Sequence, residues 1–101
     1  MPRSQFIYFI EPIRPDMPKT ATHEEQAIVG RHFQFLKEHL EAGNLILAGP
    51  TTEPPYIGIC VFEANDLEAA EDFALADPGI RNGVFRLVRV QPFRASLLRG
   101  S

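Results

Sequence analysis

Two short runs constrain this chain more than anything else in it: Phe6-Ile7-Tyr8-Phe9-Ile10, and Ile57 to Phe62. Both are rich in aromatic and β-branched residues, the side chains that suit a pleated surface, and the first stops at Pro12. Neither run alternates apolar with polar residues. Each therefore puts apolar side chains on both faces of a strand, and both faces need cover. A fold that covers only one face of such strands leaves a large apolar patch bare.

The elements around these runs can be read from their punctuation. Pro12, Pro15 and Pro18 mark a loop that continues to Ala21, which is long for a connection in a chain of 101 residues. Thr22-His23-Glu24-Glu25 has the form of a capping box, in which the Thr hydroxyl and the Glu carboxylate satisfy free N–H groups at a helix start. The helix is expected to run to Ala42, with Gly43 just past its end. Leu45 to Ala48 reads as a strand ended by Gly49-Pro50, Pro54-Pro55 as a turn, and Tyr56 to Glu63 as the next strand. Asn65-Asp66 offers an N-cap for a second helix, Leu67 to Ala76, with Leu67, Ala70, Phe73 and Ala74 at helical spacing. Asp77-Pro78-Gly79 is expected to stop that helix, because proline lacks a donor and disfavours helical geometry before it. Val84 to Phe93 is the last strand.

The order β-α-β-β-α-β, with short connections and right-handed crossovers, predicts an α+β ferredoxin-like plait. Its antiparallel sheet carries two helices on one face, in a single domain over residues 1–101. The second face, apolar but without helices, predicts a second copy packed sheet to sheet. A homodimer, forming a dimeric α+β barrel, is expected.

Composition narrows the partners. A net charge of −3 argues against nucleic acid, since neutralising phosphates needs a basic surface. Arg81, Arg86, Arg89, Arg94 and Arg99 cluster late in the chain, but no aromatic-interleaved basic motif accompanies them. They are expected to face acids of the preceding helix or of a partner subunit. No apolar stretch of about 18 residues suggests a membrane span, and the start, Met1-Pro2-Arg3-Ser4-Gln5, has no signal-peptide core. A cytoplasmic location is the default expectation. One cysteine, Cys60, allows neither an internal disulfide nor a cysteine-based zinc cage, and mid-strand it reads as a buried, inert thiol. No P-loop or GxGxxG is present, and no cofactor is expected.

Chemistry is concentrated in a few residues. At about 100° per residue, with His32 as zero, Ile28 lies near −40°, Leu36 near +40°, Val29 near +60° and Leu40 near +80°. His32 thus sits in the middle of the first helix's apolar face, where an imidazole is costly unless hydrogen-bonded. It reads either as a satisfied core histidine or as a functional one. His39, near the helix end on the same face, reads as structural, and His23 as solvated. An i,i+7 pair of His32 and His39 is some 10 Å apart along the axis, with no third ligand at a suitable spacing. Asp77, ending the second helix, is either a simple stop or a partner for His32, because the two helices lie side by side and antiparallel. A carboxylate holding one imidazole N–H leaves the other ring nitrogen free as a base. Lesser candidates are Arg81 for a substrate carboxylate, Thr51 and Thr52 as loop donors, and Tyr8 and Glu11 as cleft-lining groups. Arg31 is expected to be exposed.

Several segments together resemble the YCII-related family: Arg31 to Leu36, Glu41 to Pro50, Ala64 to Ala70, Asp77-Pro78 and Val90 to Phe93. The resemblance covers nearly the whole chain. It implies the plait, its dimeric barrel, and a His–Asp pair in a cleft, here His32 and Asp77. Chloromuconolactone dehalogenases are among the relatives it brings in, and muconolactone isomerases share the wider architecture. The chain departs from the family pattern in its long proline-rich loop, Pro12 to Ala21, and in Gly79, where many relatives are expected to carry a bulky apolar residue. The function implied is a cofactor-free enzyme using His32 and Asp77 on a small organic acid or lactone. The alternatives are a non-catalytic ligand-binding or stress-associated domain on the same scaffold, and an interaction module.

Overall fold

The computed structural model describes residues 3–100; the sequence readings that touch Met1, Pro2 and Ser101 lie outside the described residues. The elements are β1 (Ser4–Pro12), α1 (Met17–Thr20), α2 (His23–Ala42), β2 (Leu45–Pro50), β3 (Gly58–Ala64), α3 (Leu67–Leu75), α4 (Pro78–Arg81) and β4 (Phe85–Pro92). The strands form one antiparallel sheet in the order β2-β3-β1-β4. This is the ferredoxin-like plait, with β1 and β3 at its centre.

Period-two alternation assigns the faces. Tyr8 pairs with Cys60 and Val90, and Cys60 with Ala48. That row, with Phe6, Ile10 and Phe62, meets Leu36 of α2 and Ala70 and Ala74 of α3 in the main core. The opposite row runs Leu47, Val61, Ile7, Gln91, and the next Gly49, Ile59, Phe9, Arg89. Both faces of the central strands are therefore apolar, as their composition requires. On the second face the Arg89 guanidinium lies over the Phe9 ring, 4.6 Å from its centroid.

Helix α2 starts at the capping box. Thr22 Oγ1 accepts from Glu25 N–H at 3.1 Å, and Glu25 Oε1 accepts from Thr22 N–H at 2.9 Å. It ends where Gly43 takes φ +96, a left-handed geometry that favours glycine. Its buried face is centred closer to Phe35 than the helical wheel around Leu40 suggested. Phe35 packs against Phe73 of α3, while Leu40 is 53% exposed.

Two local readings are corrected. The Pro12–Ala21 segment is not a plain loop: Asp16 leads into the single-turn helix α1, which is pinned down on three sides. Ile13 N–H donates to Val84 O, the Arg14 guanidinium bonds both Glu25 carboxylate oxygens at 2.8 and 2.9 Å, and Met17 is buried against Ile28 and Val84. Asp77 does more than stop α3. It is the N-cap of α4, its Oδ1 accepting from Gly79 N–H at 2.8 Å, with Pro78 at the first helical position, where a missing N–H costs nothing. Of the late arginines, Arg86 pairs with Glu11 of β1 rather than with an acid of the preceding helix.

Candidate functional site

The site grows from a buried carboxylate. Asp77 has no solvent exposure, a position that is costly for a carboxylate unless donors surround it. Three do. Gly79 N–H donates to Oδ1, the Tyr8 hydroxyl donates to Oδ2 at 2.7 Å, and His32 Nδ1 lies 2.7 Å from Oδ1 and 2.9 Å from Oδ2. Each carboxylate oxygen thus has one fixed donor from the fold, and the imidazole bridges both.

Tyr8 is fixed as a donor by its surroundings. Burial, then the neighbouring Cys60 and Asp77, push its phenol far above the ordinary value, so it keeps its proton. The Cys60 thiol beside it is pushed up to about 12, chiefly by burial, and stays a thiol at neutral pH. The tyrosine ring packs on Phe62 and Phe73.

The roles on the imidazole follow. Asp77 accepts from Tyr8 and Gly79, so the proton between His32 and Asp77 belongs on Nδ1; in the neutral imidazole Nε2 then carries the lone pair. Nε2 has no hydrogen-bond partner among the described residues and is not sealed from solvent. The ring lines an apolar groove of about 670 Å³ between α2 and the β2–β3 side of the sheet. On α2 the groove takes the flank from His32 through Leu36 and Val29 to Phe33 and Lys37, while the other flank, with Phe35, packs on α3. The Phe85 ring borders the imidazole, centroids 4.8 Å apart. Gly79 makes room for it, since a Cβ there would stand 2.5 Å from Phe85 Cδ2.

The structure brings His32 and Asp77 together and treats the lesser candidates differently. Tyr8 is wholly buried behind Asp77, so it cannot touch a substrate as expected and instead holds the carboxylate. Arg81 is exposed at the end of α4 and does not line the groove. Thr51 lines a neighbouring crevice, but its hydroxyl is spent on Pro55 O and Ile57 N–H. Thr52 is exposed and lines neither cavity, and Glu11 is held by Arg86. His39 packs between Phe35 and Phe73 and bonds Asn44 Oδ1, a structural role. Phe85 and Lys37 were not singled out in the sequence. Phe85 stands one residue past the start of the last apolar run, and nothing local marks it as a neighbour of His32.

The YCII-related domain model matches residues 9–94, a span that holds Asp77, His32 and Phe85. The chain belongs to the YCII-related family. No curated protein matches it. In this YCII-related chain no group of three or more His, Cys, Asp or Glu residues is placed to hold a metal ion among the described residues. No helix among them is long and apolar enough to cross a membrane.

Proposed function

We propose that this YCII-related chain catalyses proton transfer next to a carbonyl, as in isomerisation of, or elimination from, a small organic acid or lactone. The observation that carries the reading is the imidazole whose Nδ1 is held by a buried, fully satisfied carboxylate, whose Nε2 has no partner among the described residues, and whose ring lines an apolar groove. Nε2 takes a proton from the carbon beside the carbonyl, leaving an enolate. Asp77 steadies the imidazolium so formed, and Tyr8 and the Gly79 N–H hold Asp77. The imidazolium then returns the proton to another carbon, or to a leaving group. The apolar walls suit the step, because charge–charge attraction strengthens away from water. Each event needs only an acid–base group.

The test does not require the natural substrate. The protein is incubated in D2O with a panel of small unsaturated lactones and keto acids, and deuterium entering the carbon next to the carbonyl is followed by NMR. Exchange that depends on His32 is expected, with His32→Ala slower by about 10²–10⁴ and its folded state checked by circular dichroism. Binding of panel members without any His32-dependent exchange would replace catalysis by the alternative, a ligand-binding domain on the same scaffold.

The same reading includes a homodimer built on the helix-free face of the sheet. Support comes from Phe9 and Ile59, half-buried on that face at the centre of the sheet beside Ile7 and Val61, which the single chain already buries.

A further inference from the structure

The Pro12–Ala21 segment builds something that proton transfer at His32 does not use. With α1 pinned by Arg14 and Met17, the segment forms one wall of a second cavity of about 380 Å³. Pro18 and Ala21 lie on that wall, and Thr51, Tyr56 and Ile57 on the wall opposite. The crevice is not separate from the groove at His32. Val29, Pro50, Gly58 and Phe85 line both, and Phe85 stands between them with its ring beside the imidazole. The charge pattern along this joined space is one-sided. His32 and Lys37 line the groove, whereas no charged residue lines the crevice.

We infer that the ligand of this site is an elongated monoanion: a carboxylate-bearing head at the His32–Lys37 end and an uncharged, apolar tail that passes Phe85 into the crevice walled by α1. The inference rests on the proposed function only in taking His32 to mark the reacting end. A single-ring acid held at His32 would leave the α1 wall without contact. An apolar tail there removes Pro18, Ala21 and Ile57 surface from water together with its own, and each further methylene adds to that burial. A second charge on the tail would meet no partner and would be rejected.

The test uses straight-chain monocarboxylates from acetate to decanoate, below their micelle concentrations, and the corresponding α,ω-dicarboxylates. Binding to the full chain is followed by NMR at the His32 ring and at the Met17 and Ala21 methyl groups. Short acids are expected to move His32 alone. Octanoate and decanoate are expected to move both sets of signals together, with affinity rising about fourfold per methylene, and the long dicarboxylates to bind at least tenfold more weakly. Ala21→Phe, which fills the crevice from a partly exposed position, is expected to abolish the gain with chain length and leave the short acids unchanged. Ile57→Trp fills it from the other wall should the first variant not fold. Affinity independent of chain length, signals confined to the His32 side, or long-chain binding untouched by a filled crevice would each overturn the inference. None of these outcomes depends on turnover, so a protein that exchanges no deuterium can still bear the inference out, and an active one can still refute it.

Discussion

At the scale of single residues, Tyr8 shows how a side chain out of reach of any ligand can govern one that is within reach. Its hydroxyl is one of two donors that the fold itself supplies to Asp77, the other being the Gly79 N–H. Tyr8→Phe keeps the ring packing on Phe62 and Phe73 and deletes only that donor. The buried Oδ2 is then left to His32 alone, and denaturant unfolding is expected to show a loss of about 1–3 kcal/mol. The same variant is expected to slow His32-dependent deuterium exchange less than His32→Ala does. Asp77→Asn acts differently: its amide offers N–H as well as oxygen, so the proton on His32 is expected to move from Nδ1 to Nε2. The nitrogen-15 resonances of the ring report that tautomer directly, and an unchanged tautomer would break the proposed role of Asp77. The sequence made His32 legible, because the helical wheel puts it among Ile28, Val29 and Leu36. It left Tyr8 misplaced. Strand parity sets Tyr8 on the helix side with Phe6 and Ile10, yet nothing local says that Asp77 closes over its hydroxyl, a contact that spans 69 residues.

At the scale of elements, capping was the most readable feature, because its chemistry lies within four residues. Thr22 to Glu25 and Asp66 behave as their side chains dictate. As an element boundary Asp77-Pro78 reads as a helix stop, but the same dipeptide is also a good N-cap and first helical residue, and α4 realises that second role. Helix α1 is too short to announce itself by periodicity; it exists because Arg14 and Met17 are anchored elsewhere. Glu25 belongs to both the capping box and the Arg14 ion pair. The Arg14 guanidinium and the Thr22 N–H hold its carboxyl at about 2, below its ordinary 4.5. A carboxyl lowered in the folded state stabilises it fully above pH 4.5. That contribution is lost as the pH falls through about 2. The protection of the α1 and first α2 amides, their exchange taken relative to the unfolded chain at the same pH, is therefore expected to fall across that window. Glu25→Gln, which keeps the box but not the ion pair, is expected to remove the pH dependence.

At the scale of the molecule, the two-sided strands predict an assembly that can be weighed directly. A single chain has a Cα radius of gyration of 13.7 Å. X-ray scattering and light scattering at micromolar concentration are expected to report twice the chain mass and a larger radius. Phe9→Lys, which puts a charge on the helix-free face at a residue that lines neither cavity, is expected to return both to the values of one chain. A wild-type monomer would contradict the proposed dimer. The strand order β2-β3-β1-β4 has a further consequence, for what either half of the chain is on its own. The first half, up to the exposed Thr51–Pro55 turn, owns β1 and β2, and the second owns β3 and β4, and neither pair is adjacent in the sheet. Each half must borrow the other's strands to make a single ladder, and His32 and Asp77 come from opposite halves. The protein is in this sense an obligate heterodimer of its own two fragments, joined by a loop. A break in that loop would cut the covalent chain without cutting the hydrogen-bonded one, and the imidazole would meet its carboxylate only where the two fragments had already found each other.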